Sequence, residues 1–179
     1  MTIEQPITQP VVATKRMVLR ALQPSDAGLL TLFTGDERVA RNTSSFPHPL
    51  PPGWTEQFLA RADAPDRGED FWALDGTASG LPALLGILSL ARMDRNQSEI
   101  GYWVAPAFWN SGLASEAVDA MVAANPHAAC TLFATVFQDN PASARVLTHA
   151  GFDYLGDAEA FSVARDAKVA TWTYLRKVQ

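Results

Sequence analysis

One short turn, leading from an apolar strand into a helix, is the part of this sequence best suited to hold an anion. The apolar run Ser98-Glu-Ile-Gly-Tyr-Trp-Val-Ala105 is soon followed by Gly112, which opens a helical pattern extending to Ala124. The first N–H groups of a helix have no intrahelical partner, and a glycine lets a phosphate approach the backbone closely. The turn is therefore a candidate pyrophosphate site. On spacing alone the glycine is equally consistent with a simple tight turn, because one Gly-x-Ala is a weak signal.

Two blocks of sequence carry a resemblance to a known family. The first is Glu99-Ile-Gly-Tyr-Trp-Val-Ala-Pro-Ala-Phe-Trp-Asn-Ser-Gly-Leu-Ala-Ser-Glu-Ala117 and the second is Val136-Phe-Gln-Asp-Asn-Pro-Ala-Ser-Ala-Arg-Val-Leu-Thr-His-Ala-Gly-Phe152. In this order they resemble the GNAT superfamily of N-acetyltransferases, in particular the branch of ribosomal-protein alanine N-acetyltransferases. The likeness extends from about residue 14 to the C-terminus.

The resemblance implies that acetyl-CoA binds where two central parallel strands splay apart, here residues 98–105 and 130–137. Backbone groups of Trp103 and Val104 would bond the pantetheine arm, and Asn140 would lie against it, although Asn140 is also a good helix cap. Arg145 would assist the adenosine phosphates or would simply be a solvated charge. The amides of the turn would hold the pyrophosphate, and the turn comprises Asn110, Ser111, Gly112, Leu113, Ala114 and Ser115. Trp109 replaces the superfamily's usual Gln or Arg, so side chains contribute less there.

Amide formation from a thioester needs a base for the attacking amine and a proton for the departing thiolate. The resemblance implies Glu99 as the base; the alternative role for this residue is a salt bridge at the edge of the sheet. Leu147 stands where many superfamily members have a tyrosine as the acid. Ser143 is the substitute that the branch suggests, although a thiolate with an ordinary pKa near 8.5 can leave unassisted.

The acceptor pocket is expected beside the proline-rich segment 44–52. The resemblance places His48 over it, together with Phe46, Trp54 and Trp72, and Tyr102 is also expected to line the cleft. The acceptor is expected to be a primary amine, either a protein N-terminus or a small molecule, and the net charge of −5 favours cationic acceptors. Another donor such as succinyl-CoA, or a catalytically inactive acyl-CoA-binding protein, is the alternative.

Bulk composition argues against several other functions. A net charge of −5 does not suit nucleic-acid binding, which relies on clustered Lys and Arg. The single cysteine, Cys130, lies in an apolar run, and no His-Cys spacing typical of a metal site occurs, so no metal is expected. The N-terminus lacks the pattern of a signal peptide and no long apolar run follows. A cytoplasmic protein without a membrane segment, monomeric or homodimeric, is predicted.

The elements that must position these residues follow from periodicity. Residues 1–13 are predicted to be a flexible tail and residues 14–179 a single acyltransferase domain. Alternating and continuous apolar runs predict strands, and stripes spaced by three and four residues predict helices near 25–34, from 54, at 112–124 and at 140–150. The fold class is mixed α/β with helices on both faces. The resemblance implies a mostly antiparallel sheet of six to seven strands with a splay between two parallel central strands.

Overall fold

The computed structural model describes residues 9–179, which form one eight-stranded mixed sheet flanked by five helices. The strands are β1 (Val12–Ala13), β2 (Val18–Ala21), β3 (Glu69–Asp75), β4 (Gly86–Met93), β5 (Gln97–Val104), β6 (Thr131–Phe137), β7 (Asp153–Ser162) and β8 (Ala167–Lys177). The helices are α1 (Ala27–Thr34), α2 (Glu37–Ala40), α3 (Trp54–Asp63), α4 (Leu113–Ala124) and α5 (Pro141–His149). None of the helices in residues 9–179 is long and apolar enough to cross a membrane.

The strand order is β1-β2-β3-β4-β5-β6-β8-β7, and every neighbouring pair is antiparallel except β5 and β6. This confirms the mixed, mostly antiparallel sheet with a central parallel pair, although the sheet has eight strands and not the six to seven expected. The strand that was not expected is β1, which lies inside the segment predicted to be a tail and pairs with β2. Gln9 reinforces it by donating to the carbonyl of Phe71. Residues 9–13 therefore pack on the sheet, while residues 1–8 lie outside the described part of the chain.

Alternation along the strands divides the core into two layers, because successive side chains point to opposite faces. On β3 to β6 the even-numbered apolar residues pack with α4 and α5, as Leu88, Ile100 and Leu132 do. The odd-numbered residues of β3 and β4 pack with α1, α2 and α3, as Phe71 and Ile87 do. Helices thus cover both faces, as predicted, and each face receives its own apolar cluster.

The predicted helices are present with small shifts at their ends, and the short helix α2 was missed. Its four residues are too few to show a periodic stripe, and its N-cap, Asp36, accepts from the amide of Arg38. The last two strands are longer than the expected 152–155 and 169–175, because β7 and β8 form an extended hairpin with a bulge near Tyr154. β7 alternates little in burial and is mostly exposed, which hides it from a pattern search.

Candidate active site

A gap between β5 and β6 is the central feature of the candidate site. The two strands pair only from Gln97 to Glu99 and then separate. The amide of Ala105 donates to Leu85 on the β4 side at 2.8 Å, and peptide groups alternate in direction along a strand. The peptide groups of Tyr102 and Val104 therefore face the gap. Those of Trp103 face β4, so its backbone is not oriented for the pantetheine contact expected of it.

Trp109 occupies one of the backbone acceptors at the edge of this gap. Its indole N–H donates to the carbonyl oxygen of Val104 at 2.6 Å. The N–H of Val104 and the peptide groups of Tyr102 have no strand paired with them on this side. Trp109 thus fixes the turn against the end of β5, a structural role that its aromatic side chain can fill where a polar Gln or Arg was expected.

The turn after β5 presents helix amides to a cleft of about 540 Å³. Asn110 and Gly112 adopt left-handed backbone conformations, with φ of 58° and 79°, and Gly112 is the N-cap of α4. The first intrahelical bond is donated by Glu116 to Gly112, so the amides of residues 113–115 have no intrahelical acceptor. All six predicted residues of the turn line this cleft. The positive end of the α4 dipole therefore faces the cleft.

Arg16 supports this turn from behind and was not recognised in the sequence. It donates to the carbonyl of Ser111 and to the carboxylate of Glu116, each at 2.9 Å. Thr14 donates to the same carboxylate at 2.6 Å. Burial acts to raise the pKa of Glu116, but the hydrogen bonds from Thr14 and Arg16 outweigh it and lower the pKa. These contacts join the start of the domain to α4 across about 100 residues of sequence, a pairing that no local motif announces.

Helix α5 forms the other wall of this cleft. Asn140 is its N-cap but makes no side-chain capping bond, so its amide is available to a ligand, and it lines both clefts of the site. Arg145 is exposed and lines the cleft with His149. Ser143 donates to the phenol oxygen of Tyr102 at 3.0 Å, and the phenol donates to the carbonyl of Ser143 at 2.8 Å. Burial raises the pKa of Tyr102, which keeps the phenol protonated.

A second cleft, of about 430 Å³, opens on the opposite face of the sheet and is the candidate acceptor site. Both clefts are lined by Tyr102, Trp103, Asn140 and Ser143, so they meet at the gap between β5 and β6. The second cleft holds the carboxylates of Glu69, Glu99 and Glu159 and the guanidinium of Arg61. Most of the charged side chains in the second cleft are therefore acidic, whereas helix amides characterise the first cleft.

Glu99 lies where the pairing of β5 and β6 ends. Its side chain reaches solvent through the open cleft, yet the protein packed around the cleft and the charge of Glu69 raise its pKa. Within residues 9–179 it forms no ion pair, so the alternative of an edge salt bridge is wrong for this part of the chain. A carboxylate with a raised pKa and no cationic partner is a suitable proton acceptor.

Of the residues predicted for the acceptor pocket, some line the second cleft and others do not. Phe46 lines the acceptor cleft, and Trp54 packs behind it, stacked on Phe58 with ring centroids 5.2 Å apart. His48 is exposed and does not line the cleft. Trp72 is fully buried on the opposite face and donates to Pro10, because strand alternation brings its neighbour Phe71 to the cleft instead. Its prediction as a pocket residue is therefore wrong.

Tyr102 reaches the site from the cofactor side, since even-numbered residues of β5 face α4 and α5. Four further residues of the acceptor cleft were not predicted, because they come from strands and a helix far apart in sequence, namely Phe58, Arg61, Glu69 and Glu159. Only Glu69 could have been predicted locally. It is two residues before Phe71 on β3, and residues two apart on a strand point to the same face of the sheet.

The β7–β8 hairpin closes one side of the acceptor cleft. Val163 donates to the carbonyl of Ser44 at 3.0 Å, and Arg165 binds the carboxylate of Asp139 with its two terminal nitrogens at 2.6 and 3.0 Å. Arg165 also lies over the ring of Phe137, 5.0 Å from its centroid. The hairpin tip is thereby bonded to the segment before α3 and to the end of β6.

Helix amides at one end of a strand gap and carboxylates at the other are the arrangement of an acyltransferase that uses a phosphate-bearing donor. The acetyltransferase (GNAT) domain family model matches residues 16–153. The chain is similar to the uncharacterized N-acetyltransferase YoaA of Bacillus subtilis (strain 168), with 30% identity over 155 residues, covering 82% of this chain and 85% of that protein.

Two solved structures share the fold. RimJ of Mycobacterium smegmatis in complex with CoA-disulfide aligns with a TM-score of 0.79 at 18% identity, covering 96% of this chain and 89% of that one. Spermidine N-acetyltransferase of Vibrio cholerae in complex with CoA and spermine aligns with a TM-score of 0.73 at 17% identity, covering 91% and 98%. The chain belongs to the GNAT acetyltransferase family, and its activity is acetyl-CoA-dependent N-acetylation of an amine.

Proposed function

We propose that this chain transfers the acetyl group to a primary amine by direct attack in a ternary complex, with the donor in the first cleft and the acceptor in the second. The observation that carries the proposal is the early end of the β5–β6 pairing at Glu99. It opens a passage that joins a row of helix amides to a carboxylate-lined cleft. No covalent enzyme intermediate is required.

The residues around the first cleft fit acetyl-CoA. The amides of residues 113–115 and the left-handed turn at Gly112 suit a pyrophosphate. The backbone of Tyr102 and the N–H of Val104, together with the free side-chain amide of Asn140, suit the two amide groups of a pantetheine arm. Arg145 on α5 is placed to meet an adenosine phosphate as a salt-screened surface charge. When bound, acetyl-CoA supplies the activated acetyl group.

Glu99 is the proposed base and Ser143 the proposed donor to the departing sulfur. Proton acceptance by Glu99 frees the lone pair of the amine for attack on the thioester carbonyl. The hydroxyl of Ser143 is held by Tyr102 at the junction of the two clefts, where it can turn toward a developing thiolate. The raised pKa of Tyr102 makes it a neutral support for Ser143 rather than a source of protons.

The acceptor is proposed to be a cationic amine, because acidic side chains outnumber basic ones around the second cleft. The fold is shared with enzymes named for protein N-termini and for spermidine, and both kinds of acceptor are cationic. A cytoplasmic location, as a monomer or homodimer, completes the proposal.

A donor and acceptor matrix tests this function. Purified protein is incubated with acetyl-CoA or succinyl-CoA and with a peptide N-terminus, spermidine or lysine, and acylated products are measured by mass spectrometry. We expect turnover with acetyl-CoA and at least one of these amines. Faster turnover with succinyl-CoA would establish the alternative donor. Tight acetyl-CoA binding without any product from a broad amine panel would establish the inactive binding protein.

A further inference from the structure

Glu69 and Glu99 stand in one row across three neighbouring strands. Glu69 of β3 pairs with Ala91 of β4, and Ala91 pairs with Glu99 of β5. Directly paired residues point to the same face of a sheet, and both carboxylates line the acceptor cleft. Two strand spacings separate their Cα atoms by about 10 Å. Since only the methyl group of Ala91 lies between them, the two long side chains can lean toward each other.

No cation neutralises this pair among residues 9–179. The other titratable side chains that line the cleft are Arg61 on α3, Glu159 on β7 and Tyr102 on β5. Arg61 is the one basic group, and its guanidinium lies 5.3 Å from the centroid of the Phe58 ring instead of in an ion pair. Burial and then the charge of Glu69 raise the pKa of Glu99. Two adjacent carboxylates with this environment favour a positive charge between them.

A buried polar cluster on the opposite face of the sheet links the strands that carry Glu69 and Glu99. Asp70 and Ser98, which adjoin the two glutamates in sequence, are both bonded to the ring of His127. The Nε2 of His127 lies 2.8 Å from the Asp70 carboxylate and its Nδ1 lies 2.8 Å from the Ser98 hydroxyl. Arg67 and Arg92 also bind Asp70, each at 2.7 Å. The segments carrying the two glutamates are therefore tied together below the cleft.

We propose that Glu69 and Glu99 together bind the acceptor as an ammonium ion, and that the charge of Glu69 directs the ammonium proton to Glu99. The pair selects alkyl amines, which are protonated at neutral pH, over weakly basic aryl amines. This inference rests on the proposed function of Glu99 as the base.

Acetyl transfer from the thioester to the ammonium ion needs no further reactant. One ammonium proton passes to the Glu99 carboxylate and later to solvent. The nitrogen lone pair forms the new C–N bond while the C–S bond breaks, and the electron pair of that bond stays on sulfur. The nitrogen then loses a second proton, and the thiolate gains one by way of Ser143 or water. The ammonium ion and thioester thus become an amide, a thiol and one released proton.

Carboxyl titration tests the coupling of the pair without turnover. Glutamate labelled with ¹³C at Cδ is incorporated into wild type, Glu69→Gln and Glu159→Gln, and Glu99 is assigned with a Glu99→Gln sample. We expect the Glu99 midpoint to move to lower pH in Glu69→Gln, because a like charge is removed. Glu159→Gln removes the same charge from the opposite wall and should move the midpoint less. Equal shifts in both variants, or none in Glu69→Gln, would overturn the inference.

Acceptor kinetics test the selection of ammonium ions. In Glu69→Gln the KM of an alkyl amine should rise about fivefold, the loss expected for one partly solvated charge pair, and the KM of an aryl amine should not change. The acid limb of kcat/KM for the alkyl amine should move to lower pH. Equal effects on both amines would indicate a structural defect and contradict the inference. If no amine is acetylated by wild type, the proposed function fails, and the carboxyl titration still decides the coupling.

Discussion

The two clefts of this protein differ in the groups that line them: backbone groups in one and side chains in the other. The donor cleft relies on backbone groups, namely the first amides of α4 and the exposed peptide edge of β5. The acceptor cleft relies on side chains brought together from β3, β5, β7 and α3. Backbone recognition tolerates changes of side chain, so the proposed pyrophosphate site is compatible with Trp109, Asn110 and Ser111 in its turn. Side-chain recognition changes with each substitution, so the proposal assigns acceptor choice to a few residues such as Glu69 and Glu99.

Removal of the carboxylate charge at Glu99 should have the largest effect on catalysis. We expect Glu99→Gln to lower kcat for an alkyl amine by about 100- to 10,000-fold, the usual contribution of a general base. Acetyl-CoA affinity should stay within twofold, because Glu99 lies at the acceptor end of the gap. Steady-state kinetics and calorimetry on the same sample separate these outcomes. A kcat near that of wild type would exclude Glu99 as the base.

Asp70→Asn should have the largest effect on stability. The carboxylate is buried and bound by Arg67, Arg92 and His127, and removal of its charge leaves the two guanidinium groups without their counter-ion. We expect a loss of about 3 kcal/mol, or roughly 6–12 °C in Tm. Asp66→Asn is the matched control, since Asp66 is exposed and nearby. Thermal melts with equal Tm for both variants would show that the cluster does not support the acceptor end of the sheet.

The same cluster makes stability depend on pH. Burial lowers the pKa of His127 below its ordinary value near 6.5, although Asp70 acts against this. On acidification below about pH 6.5 the unfolded chain therefore binds a proton before the folded one does, and stability falls. Asp70 itself has a lowered pKa, despite its burial, because His127 and two arginines bind it, so its contribution is lost only at still lower pH. Thermal melts of His127→Asn at a series of pH values should lack the loss of stability that begins below about pH 6.5.

Ser143→Ala should have a moderate effect. Loss of one hydrogen bond to a developing thiolate corresponds to about 1.5 kcal/mol, or roughly tenfold in kcat. Tyr102→Phe removes the support of Ser143 but leaves its hydroxyl, so its kcat should fall less. Rates at saturating substrates distinguish the two. A larger fall in Tyr102→Phe than in Ser143→Ala would instead assign the proton donor to Tyr102.

Arg145→Ala should have the smallest effect, because the guanidinium is exposed and screened by salt. We expect acetyl-CoA to bind about twofold to fivefold more weakly at low salt, with Arg145→Lys close to wild type. Titration of CoA and of dephospho-CoA into each variant locates the contact. If Arg145→Ala weakens both ligands equally or neither, Arg145 does not meet the phosphate that distinguishes them.

The comparison of the clefts also explains how much the sequence could predict. The turn at Gly112 and its helix are local features, so a glycine and a helical stripe predict them. The splay between β5 and β6 involves strands far apart in sequence and was expected only from the resemblance to the GNAT superfamily. Glu69 and Arg61 were missed because their roles arise from strand pairing and from packing across the sheet. Trp72 was misplaced for the same reason, since a one-residue difference along a strand reverses the face. Strand β1 was not predicted because a strand of two residues is too short to show a periodic pattern.

The most direct test of donor binding at the α4 terminus is a calorimetric titration of acetyl-CoA into wild type, Gly112→Asp and Gly112→Asn. Aspartate and asparagine have the same shape and both tolerate the left-handed backbone required there, so only charge differs. We expect Gly112→Asp to bind about tenfold more weakly than Gly112→Asn, because its carboxylate repels a pyrophosphate at the helix terminus, while Arg16, whose guanidinium lies 3.4 Å from the position of an added Cβ, offsets part of that charge. Equal affinities for the two variants would contradict a pyrophosphate site at this turn.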